Sequence, residues 1–550
     1  MHSLAKLMAD RIAMGLRRGC IKSPSKWAEE YREMKEGRWS FKRYPWLRAM
    51  HDSKAELNVG QKAAQMGFTE ALLNITFYTI DVRGKDVLYV LPNKKPDAST
   101  FSNGRFDPAL ELSPHLAKLF SHVDNVDHKR AGTANLYIAG SQSRSGLKSK
   151  PISVLLMDEV AEFVEKNIPL ALARVDGQLE KLVWMVSTPT VDGFGISKYY
   201  ERSNKQIFVF KCPSCHKQID LKFPESLVIT ANDPLEPEIH NSHLICYECK
   251  AKLPHESKSE WLSEGIWIPT ESNKDANGFS INQLYSTTQK PDKIAQIYLN
   301  SLNNESDELE FYNSNLGVTH ETEGARVSFE SINNAIVNGP KHQNGKYDTS
   351  NQLVLMGIDV GKYFHYEIDV VKFNKNVNPL DINNSARIIV VEFGKVREIE
   401  LIEQLMRQYN VASCVMDHNP ERRVALTFAL NFPNRVKLCT FSRGVAGRSI
   451  TASRSDDAEE PAINVDRTSW LDQALSRFKQ GTIFLPTDTN LEYKKQICEP
   501  VKLIRKDDKG NPTATFLSKE NEDDHYAFSR TYAEIALKVV AGMLGANKDI

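Results

Sequence analysis

The sequence predicts an α/β protein with more than one domain. Its 550 residues are too many for one hydrophobic core, so two or three domains are expected. Between about 56 and 200, apolar β-like runs alternate with helical or loop stretches, which is the pattern of a parallel sheet covered by helices. The runs are VLYVLP, NLYIAG, SVLLMDE and LVWMVSTP. From 352 onwards, a hairpin is followed by further alternating strands and helices, and we find no internal repeat.

Changes in composition divide the chain into five segments. A helical, aromatic N-terminal segment ends in RYPWLRAMHDS, and the four apolar runs follow it. A loop-rich region then carries two cysteine pairs, and the polar stretch NGPKHQNGKYDTSN is typical of a linker. The predicted boundaries are 1–55, 56–204, 205–337, 338–351 and 352–550.

Composition and charge exclude several classes of protein. Lys plus Arg equals Asp plus Glu at 70 each, which argues against a nucleic-acid coating protein but permits a local basic groove. No run of about 18 apolar residues exists, and the N-terminal MHSLAKLMADRIAMGLRRG is basic and amphipathic without a secretory core. We therefore expect an intracellular protein with no membrane partner. Its cysteine usage, with four isolated and four in two tight pairs, agrees with that location.

An acidic pair follows a buried strand in PISVLLMDEVAEF, residues 151–163. Because Val154 to Met157 are all apolar, the run predicts a central parallel strand that delivers Asp158 and Glu159 to the ligand-binding edge of the sheet. A strand that ends in a turn and a helix cap is the simpler alternative. The choice depends on whether a phosphate-binding loop lies elsewhere in the chain.

The stretch NVGQKAAQMGFTEALLN, residues 58–74, supplies such a loop. Helical spacing from Glu70 to Thr79 places Gly67, Phe68 and Thr69 at a helix N-terminus, where free N–H groups attract phosphate. Compared with the standard phosphate-loop pattern GxxxxGK[ST], this chain has Lys62 at the position of the first glycine and Phe68 at the position of the lysine. A displaced lysine, Lys62, would reach the β- and γ-phosphates of ATP, and the hydroxyl of Thr69 would bind Mg²⁺.

The two stretches together predict a P-loop ATPase of the ASCE type. Asp158 would hold Mg²⁺ through water, and Glu159 would polarise the attacking water. A third strand, WMVSTPT, ends in Ser187 and Thr188, where a sensor of the γ-phosphate is expected; a plain strand-to-turn junction is the alternative.

Two C-x-x-C pairs, CPSC and CYEC, are separated by 30 residues. Four thiolates at this spacing suit tetrahedral Zn²⁺ in a ribbon, and a closed ligand shell indicates a structural role. Disulfide bonds are the competing interpretation. The predicted zinc ligands are Cys212, Cys215, Cys246 and Cys249.

A second set of acids lies in the C-terminal segment. In the strand LVLMGIDV, every second side chain faces the core, and Asp359 is the last residue of that row. A charge in such a buried position needs a partner or a metal ion. Asp417 ends the apolar strand VASCVMD, although it also precedes Asn-Pro and can be a turn former. Asp523, Asp524 and His525 begin an amphipathic helix, where Asp524 can equally be an N-cap.

The order of these acids is that of an RNase H-like nuclease. Carboxylates at two strand ends and at a helix start can bridge two metal ions, Mg²⁺ or Mn²⁺, that activate water against a phosphodiester. Asp359, Asp417 and Asp524 are the predicted catalytic acids, and Asp523 and His525 complete the predicted metal set.

These features together resemble the large terminase subunits of tailed bacteriophages, of the lambda type. The resemblance is carried by the lysine-first loop, the strand ending Asp-Glu, the S-T-P strand end and the cysteine pairs. It extends to YPW, GFTE, GFSINQLYS, FYNSNLGV and GIDV. It implies an ATP-driven motor that packages double-stranded DNA into a procapsid, joined to a nuclease that cuts the concatemeric genome.

The resemblance also implies partners and a location. A small terminase subunit and the portal protein are expected, as is a homo-oligomeric ring, a pentamer in this family, in the cytoplasm of an infected bacterium. An ATP-dependent helicase or nuclease of the repair type is an alternative enzyme. A zinc-containing, non-catalytic scaffold that binds DNA is an alternative of another class.

Two positions depart from the family pattern. Some relatives carry an arginine finger inside the phosphate loop, where this chain has Gln65, so Arg105, Arg144 and Arg174 are candidates to replace it. Relatives also tend to have an aspartate one turn into the last helix, and the matching position here is Phe528. Either Asp524, Asp523 or His525 takes the place of that acid, or the nuclease is impaired; of these, we expect Asp524, assisted by His525, to bind the metal.

Overall fold

The structure is a computed structural model, and it divides into two compact units, Met1–Glu321 and Thr322–Ile550. It describes residues 21–120, 123–148, 151–272, 274–373, 381–442, 444–452, 461–506, 512–519 and 522–546. The basic N-terminal stretch lies outside these residues. Within them, we find no helix with the length and apolar character needed to span a bilayer.

The first unit contains sixteen strands in its described part. They are β1 Glu33–Met34, β2 Gly37–Arg38, β3 Leu57–Lys62, β4 Val87–Leu91, β5 Val123–Asn125, β6 His128–Ala131, β7 Ala134–Gly140, β8 Val154–Asp158, β9 Leu182–Ser187, β10 Gln206–Lys211, β11 Gln218–Ile219, β12 Leu227–Val228, β13 His243–Ile245, β14 Lys252–Leu253, β15 Ile266–Ile268 and β16 Ala276–Ile281.

The α-helices of the first unit, again within the described part, are mostly short. They are α1 Pro24–Tyr31, α2 Leu47–His51, α3 Phe68–Asp81, α4 Ser99–Phe101, α5 Asp107–Leu112, α6 Pro114–Leu119, α7 Arg144–Lys148, α8 Ile168–Leu172, α9 Ile196–Tyr200, α10 Lys258–Trp261, α11 Pro291–Ser301 and α12 Glu305–Glu310.

The main sheet of the first unit confirms the predicted parallel architecture. Its strand order is β11-β10-β16-β3-β9-β8-β4-β7-β6-β5, and the run from β10 to β7 is parallel throughout. Side chains of β8 alternate between two cores: Val154 and Leu156 pack on the face that carries α3, and Leu155 and Met157 on the face that carries α8 and α9. Because both faces are covered, the strand is apolar at every position before Asp158.

The second unit, where described, has ten strands and six α-helices. The strands are β17 Leu353–Val360, β18 Phe364–Phe373, β19 Ala386–Val396, β20 Ser413–Asp417, β21 Val436–Phe441, β22 Ile450–Ala452, β23 Ala462–Val465, β24 Ile483–Phe484, β25 Val501–Lys506 and β26 Pro512–Leu517. The helices are α13 Phe329–Val337, α14 Ile399–Gln408, α15 Arg422–Asn431, α16 Arg467–Gln480, α17 Leu491–Cys498 and α18 His525–Ala546.

A mixed sheet forms the centre of the second unit. Its order is β22-β23-β21-β20-β17-β18-β19-β24. The strand β18 runs antiparallel to both of its neighbours, β17 and β19, and β17, β20, β21 and β23 are parallel. One face packs against α16 and α18, and the other against α14 and α15. The predicted linker stretch contains neither helix nor strand, and it lies in this unit, where His342 Nε2 contacts the carbonyl of Val390 at 2.8 Å.

The long helix α18 crosses β17 at a glycine. A Cβ atom on Gly357 would lie 2.0 Å from the carbonyl oxygen of Ser529, so a larger residue would force the helix away from the sheet. This close approach brings the start of α18 to the end of β17, two residues beyond Gly357.

Candidate functional site

The loop between β3 and α3 and the end of β8 form the candidate site of the first unit. Lys62 is the last residue of β3, and its side chain is buried. Its Nζ donates a hydrogen bond to Oε1 of Glu159 at 3.2 Å. The loop lysine at the end of β3 and the acid that follows β8 therefore form an ion pair across the end of β9, which lies between these two strands.

A second contact joins the loop to the same strand end. The hydroxyl of Thr69, in the first turn of α3, donates to Oδ2 of Asp158 at 2.9 Å. The hydroxyl of Tyr89 donates to the same oxygen at 2.8 Å. Burial and the nearby charge of Glu159 raise the pKa of Asp158, against the opposing effect of Lys62. A threonine hydroxyl and a carboxylate in this arrangement are the ligands that Mg²⁺ uses with nucleotides.

The backbone of the loop shows why glycine is needed beside α3. Gly67 precedes Phe68 with φ of 83°, and a Cβ atom there would lie 2.8 Å from Leu47 Cδ1. Gln65 is exposed and also has a positive φ of 61°. The first-turn N–H groups of α3 have no partner within the helix, so the loop and helix end together suit an anionic ligand.

The third predicted piece lies at the end of β9. Ser187 is fully buried, and its hydroxyl accepts a hydrogen bond from the backbone N–H of Ala161 at 3.1 Å. Thr188 is half-buried in the turn that follows. Ser187 is thus linked to the residues just after Asp158 and Glu159.

Residues far away in the sequence hold the loop, and sequence reasoning did not assign them a role. The N–H of Ala64 donates to the carbonyl of Ser314 at 2.7 Å, and Gln283 Nε2 donates to the carbonyl of Ala64 at 3.1 Å. Asn315 Nδ2 in turn donates to Gln283 Oε1 at 2.7 Å. Gly317 has no room for a Cβ atom, which would lie 2.5 Å from the backbone N of Ala63. These residues belong to the stretches GFSINQLYS and FYNSNLGV.

The three candidate arginine fingers lie in different surroundings. Arg105 pairs with Glu70, in the first turn of α3, at 3.3 Å. Arg144 is exposed on α7, and Arg174 donates to the carbonyl of Lys148. Of these, Arg105 is the one whose ion pair is next to the loop helix.

The four paired cysteines come together. Their sulfur atoms all lie within 4.8 Å of one another, and the Sγ–Sγ distances are 3.9 Å for Cys212 to Cys249 and 4.0 Å for Cys215 to Cys246. Zn–S bonds of about 2.3 Å in a tetrahedron place sulfurs about 3.8 Å apart. The four thiols thus fit one zinc ion.

The two cysteine pairs occupy equivalent turns. One is carried by the hairpin of β10 and β11, and the other by the hairpin of β13 and β14. In each, the N–H four residues after the first cysteine donates to that cysteine's carbonyl, at 2.9 Å from His216 and 2.8 Å from Lys250. Both donors have positive φ, 59° and 62°. Two matching knuckles are the usual frame of a zinc ribbon.

The second candidate site lies at the end of β17. In the parallel register Ile358 pairs with Met416, so Asp359 and Asp417 are side by side at the ends of neighbouring strands. Burial raises the pKa of Asp359, against its hydrogen bond with His525. Burial also raises the pKa of Asp417 to about 6. A buried acid and a half-buried acid at neighbouring strand ends favour a cation between them.

The start of α18 reaches the same place. His525 Nδ1 lies 2.6 Å from Asp359 Oδ2, and this contact raises the pKa of His525. Asp523 is exposed, and its Oδ1 lies 3.9 Å from His525 Nε2. Asp524 is half-buried just before the helix, and its negative charge raises the pKa of Asp359. These residues at the helix start therefore interact with the acid at the end of β17.

Phe528 replaces the acid that relatives tend to have. Its ring lies 5.8 Å from the ring of Phe441, and the Arg467 guanidinium lies 5.0 Å above it. The position one turn into α18 is thus aromatic, and the carboxylates of this site come from the residues before the helix and from β17 and β20.

One face of β18 carries polar residues that sequence reasoning did not single out. His365 is the direct cross-strand partner of Asp359, and Glu367 and Asp369 follow it at period two. Arg530 of α18, fully buried, donates to Glu367 at 2.6 Å and also to Asp369. The signal was visible in FHYEIDVV, where every second residue of an apolar strand is ionisable.

Comparison with known proteins identifies part of the chain. Residues 33–267 match the family model for the ATPase domain of the phage terminase large subunit gpA. The resemblance inferred from the sequence is thereby confirmed. No curated protein matches the chain.

Three solved structures are similar to the chain. The HK97 bacteriophage large terminase has 10% identity and a TM-score of 0.48, with 95% of this chain and 99% of that chain covered. The large terminase ATPase domain of a Thermus phage has 13% identity and a TM-score of 0.32, with 49% and 91% covered. The large terminase nuclease of thermophilic phage G20c has 11% identity and a TM-score of 0.23, with 38% and 97% covered.

Proposed function

Because residues 33–267 carry the ATPase domain of phage large terminase subunits, we propose that this protein is the large subunit of a DNA-packaging terminase. It hydrolyses ATP to move viral double-stranded DNA into a procapsid, and it cuts the concatemeric genome. The observation that carries the proposal is the meeting of Lys62 and Thr69 with the two acids at the end of β8.

In the ATPase unit, the residues of the loop bind the triphosphate and Mg²⁺. Lys62 contributes its ammonium to the β- and γ-phosphates, and Gly67 and Phe68 present backbone N–H groups at the start of α3. Thr69 and Asp158 are the residues that would hold Mg²⁺, which neutralises phosphate charge during transfer.

Glu159 is the residue that polarises the attacking water. Its carboxylate is paired with Lys62 at 3.2 Å. A triphosphate competes for the same ammonium, so binding releases the carboxylate at the moment that its water is needed. Ser187 is linked to this turn through Ala161, and it would sense the γ-phosphate together with the adjacent Thr188.

In the second unit, we propose an RNase H-like nuclease that depends on divalent metal ions, predicted as Mg²⁺ or Mn²⁺. The proposal is supported by the parallel pairing of β17 with β20, whose ends carry Asp359 and Asp417, and by the contact of His525 with Asp359. Asp524 and Asp523, just before α18, complete the proposed set. These carboxylates would hold the ions, which would supply the activation of water and the stabilisation of the leaving oxygen of a phosphodiester.

Zn²⁺ is proposed at the four cysteines as a structural ion. The sulfur separations of 3.9 and 4.0 Å support it, as does the matching pair of knuckles. The ion would stabilise the short hairpins of a segment that also contributes the strands β10 and β16 to the ATPase sheet.

The proposed partners are double-stranded DNA, a small terminase subunit and the portal protein of the procapsid. A ring of identical subunits on the portal is expected during packaging, in the cytoplasm of the bacterial host.

The test measures ATP hydrolysis with and without duplex DNA, and then uptake of duplex DNA into purified procapsids. A packaging motor shows DNA-stimulated hydrolysis and uptake that makes the DNA resistant to nuclease. Strand separation without uptake would favour a repair-type helicase, and no hydrolysis in any condition would favour a scaffold.

A further inference from the structure

The turn between β17 and β18 carries positive charges around one aromatic ring, three residues beyond Asp359. The cations are Lys362, Lys395 and Arg397, all exposed, and the ring is that of Tyr363. Lys362 Nζ, Lys395 Nζ and Arg397 Cζ lie 6.0, 5.7 and 5.2 Å from the ring centroid. The turn and the end of β19 each contribute two of these four residues, so two separate chain segments build this basic cluster.

The strand register connects the basic cluster to the candidate site at the end of β17. Asp359 is paired with His365 on β18, and His365 is paired with Lys395 on β19, so these residues form one row on one face of the sheet. The ends of the row are two strand spacings apart, roughly 10 Å. Because a DNA strand advances about 3.4 Å per nucleotide, the cluster lies a few nucleotides from a phosphate held at Asp359.

The turn packs directly against the start of α18. The N–H of Gly361 donates to the carbonyl of Tyr363 at 3.1 Å, which closes the turn. A Cβ atom on Gly361 would lie 3.1 Å from His525 Cε1, and His525 Nδ1 lies 2.6 Å from Asp359 Oδ2. Direct packing therefore fixes the position of the basic cluster relative to the acid.

Nearby acids match the charge of the basic cluster only in part. Lys395 pairs with Glu492 of α17, and the charge of Glu398 acts on Arg397. In the part of the chain that the structure describes, no acid forms an ion pair with Lys362 or Arg397. Three cations against two acids leave this surface positive, beside a site whose own residues are acidic.

The basic cluster also offers the hydrogen-bond donors that proteins use on phosphate. Arg397 Nη2 donates to the hydroxyl oxygen of Tyr363 at 3.1 Å, so the hydroxyl keeps its own hydrogen to donate. This hydrogen bond lowers the pKa of the Tyr363 phenol, and the charges of Lys362 and Lys395 lower it further, which makes the hydroxyl a better donor. Guanidinium, ammonium and tyrosine hydroxyl groups all contact phosphates in protein–DNA complexes.

We propose that Lys362, Tyr363, Lys395 and Arg397 bind the phosphate backbone of duplex DNA beside the nuclease site. The acids at the end of β17 repel a polyanion, and a metal ion there offsets the repulsion only near the phosphate that is cut. The basic cluster holds the same strand a few nucleotides away, without reading its sequence, because phosphate contacts position DNA and do not specify bases. The inference rests on the proposed nuclease for its substrate, and DNA binding is measured without cleavage.

The test compares DNA binding by the full-length wild type and by the double variant Lys362→Gln, Arg397→Gln. Fluorescence anisotropy of a short labelled duplex measures binding over a range of salt concentrations, with no added Mg²⁺, Mn²⁺ or ATP. Each lost phosphate contact reduces the slope of log K against log salt by about 0.9, so we expect a slope shallower by about 1.8 and an affinity about 10-fold lower near ~0.1 M salt. Wild-type slope and affinity in the double variant would overturn the proposal.

Two control variants separate the position of the charge from its amount. Arg407→Gln removes an exposed arginine that also lies over a ring, 5.3 Å from the centroid of Phe432, on α14 at the opposite face of the sheet, and it should keep the wild-type slope. Arg397→Lys keeps the charge of the basic cluster and should also keep the slope. A loss in Arg407→Gln equal to that in the double variant would overturn the proposal, since the effect would then follow net charge alone.

DNA cleavage distinguishes failure of this surface from failure of the nuclease. With Mg²⁺ or Mn²⁺, the double variant should cut with KM raised about 10-fold and kcat little changed, because the basic cluster binds the strand away from the reacting phosphate. If binding weakens as expected but the wild type cuts DNA with neither metal, the surface stands and the nuclease function falls. If the wild type cuts, and the double variant binds and cuts as the wild type does, the nuclease stands and the surface falls.

Discussion

At the end of β8, each of the two acids, Asp158 and Glu159, contacts a residue at one end of the loop between β3 and α3. Glu159 contacts Lys62, and Asp158 accepts hydrogen bonds from Thr69 and Tyr89. At the end of β17 the balance is different, because no lysine or arginine pairs with the buried Asp359 or the half-buried Asp417 among the described residues. His525 contacts Asp359, and the hydroxyl of Tyr532 contacts Asp417.

This difference indicates where each site obtains its positive charge. The first site has a fixed lysine, and its ion can arrive together with the nucleotide. The second site gathers acids whose pKa is raised, which favours a cation held by the protein itself. The comparison predicts that the two sites respond separately to mutation and to removal of metal.

The largest effect is expected for Lys62→Ala. It removes the ammonium that meets the developing phosphate charge, so ATP hydrolysis should fall by about 10²–10³-fold or more, while DNA cleavage remains. Steady-state hydrolysis assays measure the first and plasmid cutting the second. Lys181→Ala, which breaks an exposed lysine–glutamate pair at 3.0 Å in the same unit, is the matched control. Wild-type hydrolysis by Lys62→Ala would remove the basis of the ATPase assignment.

The reciprocal change is Asp359→Asn. It removes a charge shared by the acids of the second site, so metal-dependent cutting should fall by at least about 10²-fold with ATP hydrolysis unchanged. Asp472→Asn, at a half-buried pair with Lys502 at 2.9 Å that is not part of the proposed site, should leave both activities intact. Loss of both activities in Asp359→Asn with the fold preserved would contradict the separation of the sites.

Loss of one zinc ligand is expected to act on stability. Cys212→Ser should reduce bound zinc by one ion per chain and make the hairpins around 205–255 sensitive to proteolysis. Elemental analysis and limited proteolysis measure both effects. Cys498→Ser, outside the cluster and half-buried, is the control. A well-folded wild type without zinc at these thiols would refute the structural ion.

The smallest effect concerns a buried lysine of the first unit. Lys258 Nζ donates to the carbonyls of Leu284 and Ser286, both at 2.9 Å, and so anchors the segment that begins with the loop contact Gln283. Burial lowers the pKa of Lys258 to about 7.

The unfolded chain keeps the ordinary lysine pKa near 10.4, so between pH 7 and 10 it binds one more proton than the folded protein. The contribution of Lys258 to the free energy of unfolding therefore rises with pH, by up to about 1.4 kcal/mol per pH unit. Denaturation at pH 7, 8 and 9 should show this slope in the wild type and lose it in Lys258→Met. Equal slopes would mean that the lysine stays charged when folded.

Much of the framework follows from local sequence pattern. The run Val154 to Met157 predicts a doubly covered strand, and the spacing after Gly67 predicts a helix, because both depend on neighbouring residues alone. The strand-end positions of Asp158 and Asp359 were also predicted from the pattern of neighbouring residues. The parallel sheet and the strand-end positions are confirmed by the fold.

Other parts of the sites could not be predicted in that way. Gln283 and Gly317 contact the loop from more than 200 residues away, and nothing local marks them as loop partners. His365 did carry a signal, since it continues the row of Glu367 and Asp369 in an apolar strand. The strand pattern alone does not give the position of α18. That position determines whether a residue of this row contacts an arginine or a second histidine.

The central claim is that a displaced lysine and a strand-end acid pair meet across one triphosphate. A crystal structure with a non-hydrolysable ATP analogue and Mg²⁺ tests it most directly. We expect Lys62 Nζ to leave Glu159 and lie within hydrogen-bond distance of a β- or γ-phosphate oxygen, with Mg²⁺ next to Thr69 and Asp158. A nucleotide bound elsewhere, with Lys62 still paired to Glu159, would contradict the account.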